Sequence, residues 1–123
     1  MAMGRGSAIV IAMMLVGMLM VSQVAEAATY TVGGTGGWTF NVAAWPKGKR
    51  FRAGDTLVFN YNSAIHNTVP VDRAGYNSCA APSTAKAFQT GKDQIKLKKG
   101  LNFFICSIPG HCQSGMKIAV NAV

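Results

Sequence analysis

The chain has 123 residues, of which 12 are Lys or Arg and 4 are Asp or Glu, giving a formal net charge of +8 at pH 7. This length suffices for one small domain and excludes a second one. A domain of this size buries only a modest core, so a disulfide or a metal ion often adds to its stability.

The first 27 residues differ in composition from the rest of the chain. Arg5 is their only cation, and the run Ala8–Val21 is apolar apart from one glycine before small residues lead to Ala27. This order predicts a secretory signal peptide over residues 1–27 that is cleaved after Ala27. As a helix the run would rise only about 21 Å, short of the roughly 30 Å hydrocarbon core, which disfavours the alternative of a retained membrane anchor. The mature domain would then comprise residues 28–123.

The mature part shows alternation of apolar and polar residues with turn signals between the segments, and little helical periodicity. We therefore predict an all-β domain, a sandwich of two sheets with Greek-key links and one or two short helices. A helix is expected within 73–79 or 83–88. The six predicted strands are Thr29–Val32, Thr56–Tyr61, Asn67–Val71, Gln94–Leu97, Leu101–Cys106 and Met116–Val123.

The stretch CSIPGHCQSGM places Cys106, His111 and Met116 at the spacing Cys-x4-His-x4-Met. Because Cys106 ends a predicted strand and Met116 begins the next, the intervening loop doubles back at one end of the sandwich. His66, in the connection SAIHNTV, can approach from a neighbouring loop at the same end. Two imidazoles, a thiolate and a weak thioether are the ligands of a copper electron-transfer site.

Three cysteines are an odd number for a chain exported to an oxidising compartment. If Cys106 is a metal-bound thiolate, Cys79 and Cys112 remain to form a disulfide. Alternatively, the odd cysteine is unpaired in the core or forms an intermolecular bridge. Another alternative is a structural zinc centre built from Cys106, Cys112, His66 and His111, which would leave Cys79 unpaired and Met116 without a role.

Several stretches of the mature chain resemble the phytocyanins, plant blue copper proteins of the cupredoxin fold, and within that family the plantacyanin branch. They are VGGTGGWTF, WPKGKRFRAGD, FNYN, HN, GKDQIKLKKG and CSIPGHCQSGMKIAVNAV. The resemblance implies a cupredoxin-like fold with one type 1 copper ion bound by His66, Cys106, His111 and Met116, and a Cys79–Cys112 disulfide. It also implies a higher reduction potential than in the stellacyanin branch, which has Gln at the axial position.

These observations favour a secreted, monomeric one-electron carrier with an unidentified redox partner. Four protein ligands leave no open coordination position for a substrate, so we do not expect an enzyme. The alternative is an extracellular interaction or signalling protein of the cell wall or reproductive tissue with a mainly structural copper site. Its cationic runs KGKRFR and KLKK could then bind an anionic cell-wall polysaccharide, whereas neither a nucleic-acid partner nor a lipid anchor is expected.

Overall fold

The computed structural model describes residues 26–123. Residues 1–25 of the predicted signal peptide lie outside the described part, so the peptide and the domain boundary after it stay predictions. Within residues 26–123, no helix is long and apolar enough to cross a bilayer.

The described residues form six strands and one short α-helix, and the six strands expected from the sequence are confirmed within a few residues at each end. A helix within residues 73–79 is confirmed, whereas the alternative over residues 83–88 is wrong. In chain order the elements are β1 Thr29–Thr31, β2 Thr56–Asn60, β3 Val69–Val71, α1 Arg73–Ser78, β4 Lys92–Lys96, β5 Gly100–Ile105 and β6 Lys117–Ala122.

The strands divide into two three-stranded sheets, with orders β1-β2-β4 and β3-β5-β6. In the first sheet β1 runs parallel to β2, and β4 runs antiparallel to β2. Both pairings of the second sheet are antiparallel. The chain changes sheet between β2 and β3, between β3 and β4, and again between β4 and β5, as the predicted Greek-key sandwich requires.

Apolar side chains from both sheets fill the space between them. Trp38 and Phe59 are 1% and 0% exposed and meet edge to face, with ring centroids 5.0 Å apart. The Trp38 Nε1 donates a hydrogen bond of 2.9 Å to the Asn67 main-chain oxygen, so its one polar atom is satisfied. The core fixes the position of the segment that leads into β3.

Helix α1 is brief because both of its ends are fixed. The Asp72 side chain caps its start by accepting a hydrogen bond of 2.8 Å from the Gly75 N–H. Cys79 ends it in a left-handed conformation with φ of 55°. Residues 83–88 form no helix because a turn at Pro82 is followed by extended chain, in which Phe88 pairs with Thr68 in an isolated β-bridge.

The register of the second sheet brings the predicted ligand segments together. Val69, the first residue of β3, lies opposite Ile105, the last residue of β5, and Ile105 also lies opposite Lys117, the first residue of β6. The residues just before β3, just after β5 and just before β6 therefore meet at one end of the sandwich.

Candidate metal centre

His66, Cys106 and His111 converge at this end of the sandwich. Their ligand atoms all lie within 4.8 Å of one another. The two Nδ1 atoms of His66 and His111 are 3.0 Å apart, and the Cys106 Sγ is 3.6 Å from the His111 Nδ1. His66 and Cys106 are buried, whereas His111 is half-buried.

Met116, the fourth predicted ligand, is 0% exposed. Its main-chain oxygen accepts a hydrogen bond of 3.0 Å from the Cys106 N–H, and its own N–H donates one of 3.1 Å to the His111 oxygen. The backbone of Met116 is thereby bonded to those of Cys106 and His111, two other predicted ligands. Strand β5 ends one residue before Cys106 and β6 begins one residue after Met116, so both residues lie in the loop itself.

The Asn67 side chain joins the two segments that carry His66 and Cys106. Its Nδ2 donates to the Ser107 Oγ and its Oδ1 accepts from the Ser107 N–H, both at 2.8 Å. Asn67 is 6% exposed, so water competes little for these bonds. Since each partner is adjacent in sequence to a candidate ligand, this pair of bonds limits the relative motion of the thiol and the imidazole.

The loop between His111 and Met116 is held from several sides. A disulfide joins Cys112 to Cys79, with their Cα atoms 5.6 Å apart. Gly115 adopts a φ of +85°, and a Cβ at this position would lie 3.0 Å from the Asn41 Cα. Only glycine fits without a shift of the neighbouring backbone, which is fixed by the bond from the Asn41 N–H to the Ser114 oxygen.

Phe40 covers part of the two imidazole rings. Its ring meets that of His66 edge to face at a centroid distance of 5.4 Å, and that of His111 at 4.9 Å. The Phe40 side chain is 42% exposed, so its outer face stays open to solvent. Sequence reasoning assigned no role to Phe40 or Asn67. The HN pair places Asn67 beside a candidate ligand, but no pattern in the sequence indicates the contacts of Phe40.

The electrostatics favour a neutral His66. Burial lowers the pKa of the His66 imidazole, and the nearby His111 lowers it further because two like charges would oppose each other. A neutral imidazole offers a nitrogen lone pair to a cation. The facing Nδ1 atoms can share a proton between them, and a metal ion can take the place of that proton.

The donor set fits a single soft metal ion. The 3.0 and 3.6 Å separations are shorter than two metal–ligand bonds of about 2.0–2.3 Å end to end, so one ion can contact both atoms of each pair. The zinc centre considered from the sequence required a Cys112 thiolate, which the disulfide removes. Cys106 is the free cysteine of the described residues, and it is buried.

Residues 38–116 match the family model of the plastocyanin-like domain. The basic blue protein of Cucumis sativus is 64% identical over 96 residues, which make up 78% of this chain and 100% of that protein. The chemocyanin of Lilium longiflorum is 54% identical over an alignment of 125 positions that covers 99% of each chain. The chain belongs to the phytocyanin family, in its plantacyanin branch.

The solved structure of the cucumber basic protein, a blue copper protein, superposes on this phytocyanin with a TM-score of 0.76 and 63% identity. The match covers 77% of this chain and 99% of that one. Spinach plantacyanin gives a TM-score of 0.70 with 53% identity, covering 77% and 99% of the two chains. The cupredoxin-like fold and the family expected from the sequence are confirmed, and copper is the family's cofactor.

Proposed function

We propose that this phytocyanin is a secreted one-electron carrier, in which His66, Cys106, His111 and Met116 hold one copper ion. The observation that supports it most is the convergence of two imidazole nitrogens and the free thiol within 4.8 Å. The buried Met116, whose backbone bonds those of Cys106 and His111, would supply the thioether of the donor set. A copper ion with these ligands accepts and releases single electrons by alternating between Cu(II) and Cu(I).

The surrounding residues are suited to keep the ligands in place during electron transfer. The Asn67–Ser107 bonds hold the segments of His66 and Cys106 together, while the disulfide holds the residue after His111. A site that changes little between two oxidation states exchanges electrons with little reorganisation, and a β-sandwich with bonded loops provides such a frame. Four protein ligands also leave no position for a substrate, which supports a carrier over an enzyme.

The surface around His111 is suited to brief docking with a redox partner. We define the apolar rim as Phe40, Ile65, Ile108 and Pro109. Phe40 and Ile65 are 42% and 52% exposed, and Ile108 accepts a hydrogen bond of 3.1 Å from the His111 N–H. An apolar patch around a half-buried imidazole lets a partner approach the ligand ring closely without strong binding. His111 is therefore the proposed exit for the electron.

Secretion is supported by the predicted signal peptide and by the length of a relative. The cucumber basic blue protein aligns over its full length with 96 residues of this chain. The same number remains when residues 1–27 are removed from 123, since 123 − 27 = 96. The proposed carrier would thus act outside the cell.

Voltammetry of the copper-loaded mature domain tests the carrier role. We expect a reversible one-electron wave that persists over repeated cycles. The variant His111→Gly should open a coordination position, so that added imidazole changes its wave and its spectrum. Gln113→Ala, an exposed change in the same loop, is the matched control and should not respond to imidazole.

Two outcomes would count against this proposal. An irreversible wave for the wild-type protein would contradict the carrier role. Equal responses of His111→Gly and Gln113→Ala to imidazole would contradict the ligand role of His111.

A second candidate function, the binding of an anionic cell-wall polysaccharide, is favoured by the distribution of charge. We define the basic end as Arg50, Arg52, Lys96, Lys98 and Lys99, all of which are exposed. The Gly54 N–H donates a hydrogen bond to the Leu97 oxygen, which joins the segment of Arg52 to that of Lys96 and Lys98. Phe51, between the two arginines, forms a β-bridge to Ala122, and Ala122 lies opposite Gly100, the residue after Lys99. These contacts gather the five cations from separate segments at the end of the sandwich opposite the metal centre.

The one aspartate at the basic end, Asp55, is 2% exposed and accepts hydrogen bonds from backbone N–H groups. A polyanion would therefore meet a strongly positive surface there. It would leave the apolar rim free, so this binding is compatible with electron transfer at the other end.

Binding to polygalacturonate at several salt concentrations tests this second function. The triple variant Arg52→Gln, Lys98→Gln, Lys99→Gln should bind more weakly than Arg73→Gln, Lys86→Gln, Lys92→Gln, which removes the same charge elsewhere. Affinity should fall as salt rises from 0.05 to 0.5 M, because the screening length shortens from above to below about 10 Å. Equal weakening by the two triple variants, or binding that salt does not change, would contradict it.

A further inference from the structure

Asp55 is a buried carboxylate without a side-chain cation among its bonded partners in residues 26–123. It is 2% exposed. Its Oδ1 accepts a hydrogen bond of 2.9 Å from the Ala28 N–H, and its Oδ2 accepts one of 2.8 Å from the Arg52 N–H. Both donors are main-chain groups. A buried carboxylate is usually paired with a positive charge, since neutral donors offset only part of its lost hydration.

The backbone of Ala28 is fixed at this carboxylate from two sides. Its oxygen accepts a hydrogen bond of 2.9 Å from the Thr56 N–H, and the next residue, Thr29, pairs in parallel with Thr56 as the first residue of β1. Ala28 is itself exposed, as are Glu26 and Ala27 before it, so its hydrogen bonds rather than its burial set it apart. The peptide bond between Ala27 and Ala28 therefore lies where the hydrogen-bonded backbone of β1 begins.

We propose that Asp55 is the anionic site for the new N-terminus that the predicted cleavage between Ala27 and Ala28 creates. Hydrolysis adds one water, leaves a carboxylate on Ala27 and frees an amine on Ala28, which takes up a proton at neutral pH. The nitrogen that bonds the Asp55 Oδ1 then carries a positive charge. Cleavage thus supplies the positive charge that the Asp55 carboxylate lacks. The resulting ion pair joins the starts of β1 and β2.

The register makes this pairing specific to one cleavage position. Cleavage one residue earlier would place the ammonium on Ala27, whose nitrogen is not the one bonded to Asp55, and cleavage one residue later would remove the nitrogen bonded to Asp55 and the oxygen bonded to Thr56. The 96-residue length over which the cucumber basic blue protein aligns agrees with a start at Ala28. Of these three possible starts, only the one at Ala28 places the positive charge on the nitrogen that bonds Asp55.

A cycle of four apoproteins tests the ion pair without copper, so its result is separate from that of the carrier role. The chains start at Ala28 or at Glu26, each with Asp55 or with Asp55→Asn, and urea unfolding gives the equilibrium constant for folding. We expect the Ala28 start to raise this constant about tenfold with Asp55, as a charge-assisted hydrogen bond replaces a neutral one. With Asp55→Asn the gain should fall to less than about twofold.

The variant Asp72→Asn is the matched control. It removes a carboxylate that caps α1 and lies outside the proposed ion pair. It should lower stability equally for both starts. The same gain from the Ala28 start with Asp55 and with Asp55→Asn, or no gain with Asp55, would overturn the ion pair.

Two further measurements keep the proposal testable if Asp55→Asn does not fold. In the folded wild-type protein that starts at Ala28, the α-amine should react with an acylating reagent at least about tenfold more slowly than in urea, since its lone pair is protonated and bonded to Asp55. An equal rate in both states would refute the pairing. The intact mass of the protein secreted from the full chain should correspond to residues 28–123, and any other start would refute the processing site.

Discussion

The substitution Asn67→Ala removes the two hydrogen bonds that join the segments of His66 and Cys106. Both bonds run to Ser107 and measure 2.8 Å. The bond from the Trp38 Nε1 to the Asn67 main-chain oxygen remains possible, because the change affects only the side chain. The variant thus loosens the connection between two proposed ligands without deleting a ligand.

The expected cost follows from the number and burial of these bonds. Each bond contributes about 0.5–1.5 kcal/mol, and the exposed Ser107 can bond water in the variant, so we expect a loss of about 2 kcal/mol. That loss corresponds to a roughly 30-fold smaller equilibrium constant for folding. Because the bonds also orient the ligand segments, copper affinity should fall by about 10–100-fold, as for other residues that support metal ligands.

The matched control is Asn102→Ala, which removes an amide at the opposite end of the sandwich. The Asn102 side chain bonds the main chain of Lys98 and Gly100 at 2.8 to 3.1 Å. Urea unfolding of the apoproteins should show a loss of stability for both variants, and a smaller one for Asn102→Ala because two of its three bonds are exposed to water. Competition with a copper chelator should show a weaker affinity for Asn67→Ala alone. If both variants bind copper as tightly as the wild type, the Asn67 bonds do not support the site.

Three further predictions concern other contacts. Burial, assisted by the hydrogen bond to Asp93, raises the pKa of Tyr61 from 10.0 to about 12. Because the pKa is raised on folding, a neutral Tyr61 stabilises the wild-type apoprotein below pH 10, and this stabilisation is lost as the pH rises through about 12. Urea unfolding should therefore show a smaller loss of stability at alkaline pH for Tyr61→Phe than for the wild type. Equal losses would contradict this. Replacing Cys79 and Cys112 by Ser should lower the free energy of unfolding by about 3–4 kcal/mol for a sequence separation of 33 residues, and an unchanged denaturation midpoint would refute the stabilising role. Met116→Gln should keep the intense visible band and lower the reduction potential in voltammetry, because a harder oxygen donor favours Cu(II), and a higher potential would oppose an axial role for Met116.

The sequence predicted most of the fold because apolar and polar residues alternate along most strands. The predicted strand boundaries were wrong where polar residues are buried. Strand β4 begins at Lys92, two residues before the predicted start, since buried Asp93 interrupts the apolar alternation and is satisfied by bonds from Tyr61 and Thr90. The parallel pairing of β1 with β2 was not predicted, because the two strands are far apart in sequence and no local pattern encodes their contact.

The residues of the candidate site were predicted from the sequence, whereas the contacts that surround them were not. Ligand residue types and their spacing are local information, and the register of the second sheet brings three of the predicted side chains together. The start of β3 was placed two residues early, at Asn67, because that side chain bonds Ser107 while Thr68 pairs with Phe88. Such contacts depend on residues distant in sequence, as does the packing of Phe40, and one sequence alone does not indicate them.

The most direct test of the copper site is the absorption and electron paramagnetic resonance spectrum of the mature domain after loading with one equivalent of Cu(II). A thiolate bonded to copper predicts an intense band in the visible region and a small hyperfine splitting, both lost in Cys106→Ser. A colourless protein with the spectrum of ordinary tetragonal Cu(II), or an intense band that persists in Cys106→Ser, would contradict the ligand set proposed here.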